Sequence, residues 1–193
     1  MKLPLFLILA TVPALAFAHT GDGPHVGFLH GFSHPFSGLD HVLAMVAVGL
    51  WAAQWQGRML WFIPMAFVVV MGLGGLLGMV SLPNILAEHG IVLSLLILGI
   101  LLIRRMALPP GVSLSLIAVF ALSHGYAHGN EMPSDISLLG YASGFMSATV
   151  LLHLIGIGLA LLLRNRGSIN WLRFSGIMVS GYGGLLLLQS VIA

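Results

Sequence analysis

The chain contains no cysteine. That excludes disulfides, thiolate metal sites and thiol catalysis together. Charge is almost as scarce. Only 6% of the 193 residues are Asp, Glu, Lys or Arg, while 59% are hydrophobic; a soluble domain carries about 25% charged residues. So few charges cannot cover a surface in water, so lipid must solvate this one. The seven basic residues form no patch interleaved with aromatics, which sets nucleic acid aside as a partner. There is no Gly-rich phosphate-binding loop ending in Lys and Ser/Thr, so ATP hydrolysis within the chain is not expected. What is abundant is histidine: nine residues, many for so apolar a chain. Without thiolates, a metal site here is built from imidazole, carboxylate and thioether. Imidazole-rich sites suit Ni, Co, Zn or Cu(II) better than Cu(I).

Residues 1–18 read as a cleavable secretory signal peptide, with Lys2 as the charged region, Leu3 to Leu15 as the apolar region and Ala16-Phe17-Ala18 as the cleavage site. The alternative is an uncleaved first membrane helix, against which Pro4, Pro13 and the short length argue. Cleavage would make His19 the new N-terminus, with amine and imidazole on one residue able to chelate a metal. Residues 19–35 form a Gly- and His-rich arm carrying His19, Asp22, His25 and His30. The arm reads either as a metal-gathering segment or as a disordered tether.

Residues 36–193 read as a compact all-α bundle of six transmembrane helices, at about 36–56, 59–81, 88–107, 111–129, 138–163 and 170–191. Each is near the ~20 residues that a bilayer requires. Arg58, Arg104, Arg105, Arg164, Arg166 and Arg173 fall in or beside alternate loops, and Asp22, Glu88, Glu131 and Asp135 fall on the other side. The positive-inside rule then places both mature termini outside. Small residues recur at four-residue spacing in Gly74/Gly78, Gly140/Gly144/Ala148 and Gly176/Ser180/Gly184. Such rows let helices approach closely in lipid; the reading is packing within the chain, with a homo-oligomer interface as the alternative.

Two clusters carry chemistry. The first is His34-Pro35-Phe36-Ser37-Gly38-Leu39-Asp40-His41, at the mouth of the first span. Ionisable groups are expensive there and mark a site. Pro35 and Gly38 favour a turn that folds His34 back over the helix end. Asp40 alone reads as a helix cap, but a cap does not require His41 beside it. Met45, four residues on, shares the face of His41; it reads either as a thioether ligand or as core filling. The second cluster is His124 and His128, one helical turn apart, with Glu131 at +7 if the helix continues and Pro133 to end it. An i, i+4 histidine pair with an acid is a metal-binding geometry. The two clusters are expected to converge on one divalent transition metal. His153 lies deeper, in the fifth span, on a stripe with Thr149 and Gly156; it reads as a relay or as a packing histidine. Glu88 reads as a cap.

His34-Pro-x-x-Gly38-x-Asp40-His41, continuing through Met45, Val48, Gly49, Trp51, Ala52 and Ala53, resembles the signature of the HupE/UreJ family. So does Ser123-His124-Gly125-Tyr126-Ala127-His128-Gly129-Asn130-Glu131. The resemblance implies a bacterial nickel or cobalt permease of the inner membrane, with a functional link to hydrogenase or urease maturation. Its implied metal-handling residues map to His34, Asp40, His41, His124, His128 and Glu131. The expected function is uptake of Ni²⁺ or Co²⁺ as transported substrate, with Zn²⁺ less favoured and no resident cofactor. His19, His25 and His30 would gather the ion, and His124 then His153 would pass it inward. The rival from another class is an intramembrane zinc hydrolase with Glu131 as base, for which the chain has no His-Glu-x-x-His.

Overall fold

The computed structural model describes residues 24–79, 85–164 and 170–192. The expected signal peptide, its cleavage site, His19 and Asp22 lie outside the described residues, as does the side chain of His25. All regular structure among the described residues is helical: α1 (Pro24–Ser33), a 3₁₀ turn (His34–Phe36), α2 (Leu39–Ala52), α3 (Met59–Gly78), α4 (Ile85–Arg104), α5 (Pro110–Asn130), α6 (Leu138–Arg164) and α7 (Asn170–Ile192). Lipid cannot satisfy backbone polar groups, so apolar runs of this length close their hydrogen bonds internally as helices.

Five helices, α3 to α7, are long and apolar enough to cross a membrane. The first expected span differs from its expectation. Helix α2 has only 14 residues, about 21 Å of rise against a ~30 Å hydrocarbon core. It becomes a sixth span only together with Gly27–Phe36, from which it is bent by 83°. Part of the expected arm is therefore helical, and α1 lies against α6. A Cβ on Gly31 would overlap the Tyr141 carbonyl, and one on Gly144 would overlap that of Phe28. The break falls where Pro35 and Gly38 were expected to turn the chain, and Ser37 closes the turn by donating from N–H and hydroxyl to the His34 carbonyl, at 3.0 and 2.6 Å.

Helices approach to backbone contact at other glycines as well. Gly49 of α2 faces the His153 carbonyl of α6, and Gly156 of α6 faces that of Val46. Gly74 and Gly78 of α3 face α5, and Gly99 of α4 meets Gly176 of α7. These small-residue rows thus serve packing within the chain, although Gly184 has open space around it.

Successive helices run in alternate directions. The start of α2, the end of α5 and the starts of α4 and α6 share one end of the bundle, where Asp40, Glu88, Glu131 and Tyr141 lie. Arg58, Arg104, Arg164 and Arg173 sit at helix termini of the opposite end. There Arg105 adopts a left-handed φ of 54° and closes α4, with Met106 N–H donating to the Leu101 carbonyl at 3.0 Å. Buried Trp51 of α2 donates its indole N–H to the Met106 carbonyl at 2.8 Å, pinning α2 to that cap.

Candidate metal centre

The 83° bend brings His34 over the end of the bundle. Its Nε2–H donates to Oε2 of Glu131 at 3.0 Å, and its ring lies 4.9 Å from that of His128. Helix α5 stops at Asn130, and Glu131 is its C-cap residue, with its N–H donating to the Ala127 carbonyl at 3.1 Å. A carboxylate at a helix C-terminus opposes the helix dipole by about 0.3–1 kcal/mol. Helix stability therefore does not explain Glu131; its partner in space is His34. The hydrogen bond from His34 holds its carboxyl below the usual glutamate range, outweighing partial burial. Each of His34, His128 and Glu131 offers one ligand atom, and the three lie within 4.8 Å of one another.

On the other wall stand Asp40 and His41, in the first turn of α2. The N-cap of α2 is Gly38, with no side-chain cap, and Asp40 instead accepts a hydrogen bond from His41 Nδ1–H at 3.0 Å. Asp40 thus stands in the first turn, where a carboxylate suits the helix dipole, and holds the His41 ring as well. Gly38 makes the pair sterically feasible: a Cβ there would lie 2.5 Å from Asp40 Oδ1 and 2.9 Å from His41 Nδ1. A carboxylate on one ring nitrogen fixes the tautomer and leaves Nε2 with a lone pair, the arrangement found behind metal-bound imidazoles.

His124 is tied in the same way, its Nδ1–H donating to the Phe120 carbonyl one turn back, at 2.8 Å. The His41 ring stands between those of α5, 5.6 Å from His124 and 4.6 Å from His128. The Nε2 atoms of His41 and His124 are both buried without a hydrogen-bond partner, as are Nδ1 of His128 and both nitrogens of His153. An unpaired buried polar group costs about 1–3 kcal/mol. Beside Gln54 Nε2 and Trp55 Nε1, the orphans fall on four imidazoles, which makes these histidines candidate ligands.

His34, Asp40, His41, His128 and Glu131 line one cavity of about 300 Å³. The two sequence clusters therefore meet. His124 lies just beneath them, reached through His41. Met45 is fully buried among the core side chains, a turn below His41, and does not line the cavity. His30 is exposed, its ring 6.2 Å from Tyr141. His153 is buried farther down α6, against Phe67. Sequence reasoning missed Tyr141, whose ring stands 5.7 Å from His34 and whose hydroxyl donates to the His128 carbonyl at 3.5 Å. It also missed Phe67, whose ring touches His124 at 5.5 Å. Both are aromatics in apolar helices and carry no local signal. Only their tertiary neighbours distinguish them.

Comparison with known proteins identifies the family. A protein-family model described as HupE / UreJ protein matches residues 7–186. Protein HupE of Rhizobium leguminosarum bv. viciae is 41% identical over 186 residues, which covers 96% of this chain and 97% of that protein. No solved structure matches. The matched span takes in both histidine clusters, and the chain is a multi-pass membrane protein belonging to the HupE/UreJ family, a family related to nickel and cobalt transport.

Proposed function

We propose that the chain is a secondary transporter that takes up Ni²⁺ or Co²⁺ from the periplasm across the bacterial inner membrane. One observation carries the reading. His41 and His124 each have Nδ1–H tied to an oxygen and Nε2 buried without a partner, with their rings 5.6 Å apart. Imidazoles held in that tautomer are ready to donate lone pairs to a cation. His34, His128 and Glu131 supply the ligands on the mouth side, and Asp40 supplies charge behind His41. The donor set is nitrogen and oxygen, which suits both ions. His19, His25 and His30 gather the ion before it enters.

Arginines at one end of the bundle and the carboxylates at the other support an orientation with the cavity outside and both mature termini periplasmic. The membrane potential then drives entry. Two charges moving inward gain about 4.6 kcal/mol at 100 mV, at roughly 2.3 kcal/mol per charge. Delivery of nickel or cobalt to hydrogenase or urease maturation is the use that the family resemblance suggests.

The test is flux into sealed proteoliposomes that enclose a metal-sensitive dye. Entry of Ni²⁺ or Co²⁺ that rises with an inside-negative potential supports the reading. Vesicles no more permeable than protein-free ones would overturn it. Metal-dependent hydrolysis of lipid or peptide by the same protein would transfer the site to an enzyme.

A further inference from the structure

Below the cavity, buried polar side chains continue along α5 and α6. Six polar side chains are buried among the described residues: Ser94, Ser113, His124, His128, Thr149 and His153. The two serines are satisfied by nearby backbone carbonyls, Ser94 by Ile91 and Ser113 by Leu108. The other four descend through the bundle from the cavity. Thr149 donates to the Phe145 carbonyl at 3.0 Å and reaches Met71 Sδ at 3.7 Å. His153, one turn further along α6, has neither ring nitrogen partnered.

One aromatic ring joins the upper and lower parts of this series. Phe67 of α3 is fully buried, and its ring lies 5.5 Å from His124 and 5.1 Å from His153, at interplanar angles of 61° and 89°. The two imidazoles make no ring contact with each other among the described residues. The backbone holds this arrangement tightly. Gly49, within the first signature, lets α2 close onto the His153 carbonyl, so the α6 backbone at His153 is fixed against α2.

We infer that His153 is a second, inner binding station for the transported divalent cation and that Phe67 is the gate between it and the outer site. Phe67 has no ligand atom, so its ring separates two places that have them. Hydrophobic constrictions gate pores in this way, and the face of a ring displaced sideways attracts a passing cation. Thr149 Oγ1 and Met71 Sδ lie on the same two helices as His153 and Phe67, one turn nearer the mouth. Multi-site binding also suits conduction, since an ion held at two weaker stations leaves more readily than one held at a single deep site. The inference rests on the transport reading.

The experiment compares wild type, His153→Leu, His153→Gln and Phe67→Ala. Co²⁺ binding is measured by equilibrium dialysis in detergent, and Co²⁺ flux in proteoliposomes. Wild type is expected to hold two Co²⁺ per chain. Both His153 variants are expected to hold one, with the tighter affinity unchanged and flux reduced at least tenfold. Phe67→Ala is expected to keep both equivalents and to pass Co²⁺ faster down its gradient. His153→Leu is expected to unfold at or above the wild-type temperature, because it removes unsatisfied buried polarity; a histidine needed only for packing would lower it. Wild-type flux and stoichiometry in both His153 variants would overturn the inner station and leave the transport reading intact. Absence of flux in the wild type itself would overturn both. Unchanged flux in Phe67→Ala would overturn the gate.

Discussion

Glu131 and His34 are 97 residues apart in the chain and 3.0 Å apart in space. The acid closes α5 at the end where the helix dipole disfavours it. Replacing it with Gln removes a charge from the cavity and a dipole conflict from the helix, while an acceptor for His34 remains. Glu131→Gln is therefore expected to change folding stability by no more than about 1 kcal/mol, yet to weaken Co²⁺ binding at least about tenfold, or roughly 1.4 kcal/mol. Thermal unfolding and equilibrium dialysis on the same preparation check this. A large loss of stability with unchanged metal affinity would make Glu131 a structural residue.

Gly38 tests how tightly the Asp40–His41 pair is seated. A methyl group there collides with both partners of that hydrogen bond. Gly38→Ala is expected to insert into the membrane and to lose uptake to the same degree as Asp40→Asn. Uptake by Gly38→Ala equal to the wild type would show that the pair can move without consequence.

Protons compete with metal for imidazole, whose ordinary pKa is about 6.5. Glu131 behaves differently. Its folded-state pKa is lowered from the usual value of 4.5, chiefly by the hydrogen bond from His34. Its stabilising contribution is therefore fully present above that usual value and is lost only as pH falls through the lowered one. Between pH 7.5 and 5, Glu131 therefore stays a carboxylate. The gain in Co²⁺ affinity of wild type over Glu131→Gln is expected to be the same at pH 7.5 and at pH 5. A gain that disappears across that window would contradict a carboxylate held ionised by the hydrogen bond from His34.

The contact of α2 with α6 sets the depth of the site. Gly49→Val and Gly156→Val place side chains against the facing backbone, where carbonyls cannot swing aside as a side chain would. Overpacking of this kind costs about 1–3 kcal/mol or more. Both variants are expected to unfold at lower temperature than Gly184→Val, which enters open space. Equal melting temperatures for the three would show that the helices separate freely.

Much of this was legible in the chain because lipid imposes simple rules. Five spans were readable from hydropathy and loop residues to within a few positions. The i, i+4 spacing put His124 and His128 on one face, and Pro35 with Gly38 announced a turn. Three things were hidden. Residues 24–33 look like a polar arm because His25, His30 and several glycines suppress hydropathy, yet Gly31 is what seats that helix on α6. Asp40 reads as part of the first cluster, but only its distance to His41 shows which partner it holds. Phe67 and His153 meet across two helices whose pairing no local pattern encodes.

The central claim is that residues from α2 and α5 form one site. Accumulation of labelled Ni²⁺ and Co²⁺ by cells that express wild type, His41→Ala and His128→Ala at equal membrane levels tests it most directly. The account predicts uptake by the wild type that either substitution abolishes, since each removes an imidazole from a pair whose rings stand 4.6 Å apart. Full uptake by either variant, or no uptake by the wild type above empty cells, would contradict it.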